Sequence, residues 1–413
     1  MRTVRLLLPP TLLLAALAAS PSPAPAAPGQ AAPPPTCRGL TATIVGTPTD
    51  DTIRATPGPD VVVGLGGDDV LLGRGGDDVL CGGEGADRLE GGNGDDRLHG
   101  GQDREERTRT VDTFGDTLTG GAGDDLLDPG ADLDGDGAAV PDRVTYAGSP
   151  TPVRIDLPAA TVTGEGTDRL VVAGQPVTFE GSTHDDTVVG TDGDDLLEAG
   201  AGSDTVEAGA GTDRVRTDPA GAPDRGGDDR VVLGPTVAGG YDTVVSQGGR
   251  DRVTGTDGTD YVRALGAEPV VVDLGGGDDF ADVRADAGGW LLDAGSGRDS
   301  LRLFGGRGEH ARQVAVDARR GTVTTAAGTA TYTGAEVLEL WYGAGWTYRG
   351  SPARDVVDAS LATGPVDARL AGGWDRVSAG PGADVLRGGS GTDRVLNGSA
   401  ADRCRSFEVG DCG

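Results

Sequence analysis

Residues 46–99 read GTPTDDTIR, ATPGPDVVV, GLGGDDVLL, GRGGDDVLC, GGEGADRLE and GGNGDDRLH, one nine-residue unit repeated six times without a gap. Position 4 is Gly in five of the six copies and position 6 is always Asp. Position 8 is always aliphatic: Ile53, Val62, Leu71, Leu80, Leu89 and Leu98. Glycines at positions 1, 2 and 4 permit positive φ, so the backbone can turn sharply while its carbonyls converge. The triplet after the Asp alternates outward, inward, outward, the pattern of a very short strand with one buried side chain. Two units make one coil, so each strand lies on the strand two units further on, about 4.8 Å away. A flexible Gly/Asp linker has no reason to keep an aliphatic residue at every ninth position.

This stacking pairs Asp51 with Asp69 and Asp87 along one edge, and Asp60 with Asp78 and Asp96 along the other. Carboxylates at strand spacing repel, which calls for a hard cation between them. Ca²⁺ takes six to eight oxygens at roughly 2.3–2.6 Å from carboxylates and carbonyls together, whereas Mg²⁺ demands a stricter octahedron. The GGxGxDxUx pattern resembles the repeats-in-toxin (RTX) family of calcium-binding β-rolls. That resemblance implies an all-β, right-handed parallel β-roll or β-helix solenoid, with calcium-binding turns and degenerate, non-calcium coils. It also implies several Ca²⁺ ions held by the six aspartates above and by carbonyls of the glycine turns. In this array those are Gly64, Gly67, Gly73, Gly76, Gly82, Gly83, Gly85, Gly91, Gly92 and Gly94.

The composition agrees with a narrow solenoid. The chain has 413 residues with 74 Gly and 4% aromatics, too few large apolar groups for several ordinary globular cores. Its net charge of −31, from 66 acidic against 35 basic residues, disfavours nucleic acid and anionic membrane surfaces as partners. Self-repulsion and glycine entropy make a metal-free chain hard to fold, so metal binding becomes folding energy.

Arg2 and Arg5 followed by the apolar run Leu6–Ala19 read as a cleavable secretory signal over residues 1–26, cut after Ala26 or, alternatively, after Ala18. No other stretch is apolar enough to span a bilayer, so an extracellular protein is expected. Residues 27–45 form a Pro/Ala linker and cap, and 46–143 a first roll with a charged insertion at 100–110. A strand-rich segment follows at 144–180, then a second, progressively degenerate roll at 181–302. Residues 303–349 are strand-rich with the aromatic cluster WYGAGWTY, and 350–413 carry the last repeats. Four cysteines in a secreted chain suggest two disulfides, with Cys37–Cys81 and Cys404–Cys412 expected to pin the two ends.

Beyond the insertion, Asp116 and Asp125 return to position 6, with Gly123 in the turn. Asp132, Asp134 and Asp136 before Gly137 have the D-x-D-x-D-G spacing of an EF-hand calcium loop, although position 12 is Arg143, one residue after Asp142. A solvated acidic bulge is the alternative there. In 181–216 the candidate ligands are Asp186, Gly193, Asp195, Gly202, Asp204, Gly211 and Asp213, with Asp186 over Asp204 and Asp195 over Asp213. His184 replaces a turn glycine and is expected at the surface. Units at 217–302 stand in isolation and are expected to lack stacking partners. In 370–405 the candidates are Gly382, Asp384, Gly391 and Asp393, with Asp375 over Asp393 and Asp384 over Asp402.

The three histidines, His99, His184 and His310, are too dispersed for a zinc or triad set, and neither HExxH nor GxSxG occurs. A non-enzymatic calcium-binding protein, structural or adhesive, is the expectation, with a cell-surface polysaccharide or protein as partner. The alternative is a polysaccharide-acting enzyme on a β-helix, with Arg302, Arg307, Asp317 and Trp341 as candidates. The aromatic cluster is expected to serve packing rather than ligand binding.

Overall fold

A three-residue Asp-flanked strand can bury one side chain, and the fold repeats that act along the chain. In Val70–Gly75 and Arg88–Asn93 the position-8 leucines Leu71 and Leu89 are fully buried between less buried neighbours. The computed structural model describes residues 33–102, 115–130, 141–171, 177–219, 226–237, 239–398 and 401–408. The leader, the insertion beyond Gln102, the Asp132, Asp134 and Asp136 motif, and Cys412 lie outside the described residues.

Successive strands go alternately to two sheets, the first with sixteen strands among the described residues. Its pairings are all parallel. One inward column passes from Ile53 through Leu71, Leu89, Leu118, Val144, Phe179, Leu197, Val215 and Val244 to Val262. It continues through Ala281, Leu301, Leu338, Val357 and Val377 to Val395. The facing sheet begins with the equivalent column Ile44, Val62, Leu80, Leu98 and Leu127. The fold is thus an all-β parallel roll. Among the described residues there is no α-helix, and no helix long and apolar enough to cross a membrane.

Breaks in the nonad period leave the strand register on either side intact. Leu89 pairs with Leu118 across the charged insertion. The units of 217–302 likewise find neighbours: Val262 pairs with Ala281 and Ala281 with Leu301. The expectation that isolated units cannot stack is therefore corrected. Turn length varies in these coils while the strand spacing does not.

Two segments without glycine turns fold back on themselves in the second sheet. Arg154–Asp156, Thr161–Thr163 and Thr167–Leu170 form an antiparallel meander, as do Gln313–Asp317, Thr322–Thr325 and Gly328–Thr333. The outer strands of each meander pair in parallel with the flanking coils. The aromatic cluster is divided: Trp346 and Tyr348 are buried in the core, while Trp341 and Tyr342 join Phe304 on the outside.

At the N-terminal end the hairpin of Thr36–Cys37 and Leu40–Thr41 lies on the second sheet. It is fixed by the expected Cys37–Cys81 disulfide, with Cα atoms 5.8 Å apart. Arg38 pairs with Asp128 and donates to His99 Nδ1 at 3.2 Å, so His99 is a structural residue of this strap. Cys404 is disulfide-bonded.

Leu89→Ala removes a fully buried link of the inward column. It should cost about 2–5 kcal/mol by urea unfolding in saturating calcium. The exposed neighbour Glu90→Ala should stay within about 0.5 kcal/mol.

Candidate metal centre

In the repeat arrays the strands are entered from aspartates, and the carboxylate of one coil accepts the aspartate N–H of the coil before it. The Asp51 N–H donates to Oδ1 of Asp69 at 2.7 Å, and Asp69 to Asp87 at 2.8 Å. Asp87 then donates to Asp116 at 2.7 Å and Asp116 to Asp142 at 2.8 Å. On the other edge Asp60 donates to Asp78, Asp78 to Asp96 and Asp96 to Asp125, each at 2.8 Å. The second array follows the same rule, with Asp186 to Asp204 at 2.7 Å and Asp195 to Asp213 at 3.0 Å. So does the last, with Asp375 to Asp393 at 3.1 Å and Asp384 to Asp402 at 3.0 Å. The ladder also takes in Asp279 and Asp299, from the units expected to stand in isolation, and Asp229 and Asp242, which the nonad reading passed over. All four follow glycines, but at spacings that break the nine-residue period. Asp142, set beside the EF-hand-like spacing, belongs to this ladder.

The second carboxylate oxygen divides the turns into two kinds. In Asp69, Asp78, Asp96, Asp125, Asp204, Asp213 and Asp393 it is buried and makes no hydrogen bond. All seven residues are at most 2% exposed. In these open turns position 2 has positive φ, which swings its N–H away from the Asp: Leu65 (90°), Arg74 (80°), Gly92 (113°), Gly121 (104°), Gly200 (113°), Gly209 (94°) and Gly389 (111°). Asp87 follows Gly83, with φ of 133°. Position 4 also has positive φ in Gly67, Gly76, Gly85, Gly94, Gly123, Gly202, Gly211 and Gly391.

The other kind is latched by its own chain. Thr56 donates to Asp60 Oδ2 from Oγ1 at 2.7 Å and from N at 2.8 Å. Thr47 holds Asp51, Thr191 holds Asp195 and Thr256 holds Asp260 in the same way. Ser182 closes on Asp186, Ser351 on Asp355, and the Gly380 N–H on Asp384. Gly193 and Gly382, expected as turn carbonyl donors, fall in latched turns without positive φ.

The open turns make an oxygen-only cradle. A Cβ on Gly91 would stand 2.3 Å from Asp96 Oδ2 and 2.6 Å from the Gly120 carbonyl, so both oxygens crowd one point that only glycine leaves free. One on Gly94 would stand 2.3 Å from the Gly76 carbonyl. Burial is the main cause that raises the carboxyls of Asp96, Asp125, Asp204, Asp213 and Asp279 to about 7, with neighbouring aspartates adding to it against the ladder bond. By contrast the Thr56 hydroxyl holds Asp60 below the usual carboxylate range. Buried anionic oxygens without partners, next to carbonyls and without nitrogen or sulfur donors, fit a hard cation of calcium's size.

The fold and these turns define a parallel β-roll with cation-seeking turns. The family model described as the RTX calcium-binding nonapeptide repeat matches residues 45–80, 81–104, 112–135, 180–215, 238–266 and 371–404. Over those segments the chain carries RTX calcium-binding nonapeptide repeats of the hemolysin type, set in a parallel β-roll. No curated protein matches it.

The raised carboxyls give the metal-free roll a defined pH dependence. Below about pH 4 both folded and unfolded chains hold their protons. Between about 4 and 7 the unfolded chain ionises first, so folded stability falls as pH rises. In chelator the far-UV β signal should therefore decline from pH 4 to 7. Calcium affinity should rise across that window, with protons released on binding. A metal-free β signal that climbs with pH would contradict the burial of these oxygens.

Proposed function

We propose that the protein is secreted, non-enzymatic and structural or adhesive, and that its roll condenses when the exported chain meets extracellular calcium. One observation carries this reading: the rows of buried, unpartnered carboxylate oxygens in the open turns. The ligands are the aspartates at 69, 78, 96, 125, 204, 213 and 393, joined by Asp242, Asp279, Asp299 and Asp375 and by carbonyls of the facing turns, with Asp87 contributing from its place in the same array. Calcium bound there supplies the positive charge that the stacked carboxylates lack. Extracellular modules of this kind bind at about 10⁻⁴–10⁻³ M, so cytosolic calcium leaves the chain unfolded for export. The latched turns at Asp51, Asp60, Asp186, Asp195 and Asp384 keep their ladder bonds and serve mainly as scaffold.

The test is far-UV circular dichroism of residues 27–413 during calcium titration, with magnesium as control. A cooperative gain of β signal with calcium alone, reversed by chelator, is expected. A chain already folded and indifferent to calcium would overturn the proposal.

A second reading, a polysaccharide-acting protein, is favoured by one cleft on the outer face of the first sheet. It has about 300 Å³ and is lined by Tyr241, Tyr261, Phe280, Asp282, Arg302 and Glu339 among others. Arg263, Asp282, Arg302 and Glu339 follow one another on adjacent strands, a row of alternating charge. Arg302 bonds Asp282 at 3.0 Å and Glu339 at 2.8 Å, and its guanidinium lies 4.2 Å from the Trp341 ring centre. Exposed aromatic faces beside fixed polar groups suit sugar rings and their hydroxyls. Of the four residues singled out for this alternative, Arg302 lines the cleft, Trp341 packs against Arg302 beside it, and Arg307 stacks on Tyr342. Asp317 is on the other sheet. Depolymerisation of an added polysaccharide in calcium, lost in Arg302→Ala with calcium uptake unchanged, would favour this reading. Absence of both cleavage and binding would remove it.

A further inference from the structure

Asp218 lies outside the position-6 ladder. It stands at position 2 of its coil, where the open turns place a positive-φ residue, and it is 1% exposed. Its Oδ2 accepts from Thr217 Oγ1 at 2.9 Å, from the Gly248 N–H at 2.8 Å and from the Gln247 N–H at 3.2 Å. Two of these donors are main-chain groups of the next coil, so the carboxylate is fixed between two coils. Its Oδ1 is buried with no hydrogen-bond partner. A Cβ on Gly226 would fall 2.0 Å from that oxygen, so the space beside it exists because residue 226 is glycine.

Two ladder aspartates close on the same point. Asp229, 2% exposed, spends Oδ1 on the Asp204 N–H at 2.8 Å and leaves Oδ2 buried and unpartnered. Asp251, fully buried, accepts the Asp229 N–H on Oδ1 at 3.0 Å and the Ser246 hydroxyl on Oδ2 at 2.5 Å. One carboxylate oxygen from each of the three lies within 4.8 Å of the others. Among the described residues no arginine pairs with any of them. As elsewhere, the ladder brings one carboxylate per coil, here Asp229 and Asp251 from two stacked coils. Only here does an extra side chain add a third, and two of the three keep an oxygen uncommitted.

We propose that Asp218, Asp229 and Asp251 form a discrete calcium site, separate in composition from the nonapeptide turns and tighter than they are. Affinity in oxygen-ligand sites rises with the number of charged ligands and the rigidity of their support. Both are greater here, since main-chain donors of two coils orient the carboxylates. The choice of ion rests on the calcium reading of the roll, whereas the existence of the site rests on its own geometry.

Calcium release distinguishes the two. Calcium-loaded chain mixed with excess fluorescent chelator should lose most of its ions in a fast phase. One ion per chain should follow at least tenfold more slowly. Asp218→Asn should abolish the slow phase while leaving the fast phase and the far-UV spectrum in saturating calcium unchanged. Release in a single fast phase, or a slow phase that persists in Asp218→Asn, overturns this site and leaves the roll reading intact; release of no calcium at all overturns both. Should Asp218→Asn not fold, a crystal structure of the unaltered loaded chain decides the matter. An ion in contact with all three carboxylates is expected, and its absence there overturns the proposal.

Discussion

The bond from each aspartate N–H to the carboxylate of the next coil is the constraint on which the rest of the roll depends. It fixes one coil over the next at the point where turn becomes strand, and so sets the register of the buried column that follows. It also draws an ionisable group out of water. One oxygen is then used by the ladder and the other faces the turn, where the local backbone either satisfies it or leaves it bare. Shape and charge thus share one cause. The interaction that aligns the coils also creates the electrostatic cost that a cation offsets.

Much of this was legible in the sequence, because the two decisive positions repeat as residue types. An aliphatic residue at position 8 identifies the inward column, and an Asp two residues earlier identifies the ladder. The glycine turns proved a poorer guide. Asp279 and Asp299 occupy the ladder in units that seemed isolated, since stacking needs equal strand spacing rather than equal turn length. The distinction between open and latched turns was also largely present in the sequence, as Thr or Ser against Gly, Leu65 or Arg74 near the start of the unit, with Gly380 the exception. Its meaning depends on whether a hydroxyl and an N–H reach back four residues, which the backbone φ decides. Asp218 was not legible in this way, because its partners come from a different coil.

The outer faces carry information of another kind. Inward positions are nearly uniform, while outward rows differ from one end of the roll to the other. Arg143 pairs with Glu180 and Glu198, and Arg216 with Glu198, on the first sheet ahead of the aromatic cleft. At the N-terminal end, Cys81, His99 and Asp128 form one outward row that receives the hairpin strap. A solenoid core built mostly of aliphatic side chains leaves the outside freer to vary, and much of this chain's individuality is concentrated there.

Most of the latched turns occur in pairs. Both turns of the coil at Thr47–Asp60 are closed by their own threonines, and a serine and a threonine close those of Ser182–Asp195 and of Ser246–Asp260. Each pair is followed by open turns. In a stack where every coil touches only its neighbours, stability is a sum of local and nearest-neighbour contributions, and order spreads from wherever it is cheapest to begin. The closed coils are such starting points: seeds whose turns satisfy their own carboxylates, spaced along a chain whose intervening turns need the ion. Ordering would zip outward from each seed, and withdrawal of metal would fray the intervals before the seeds.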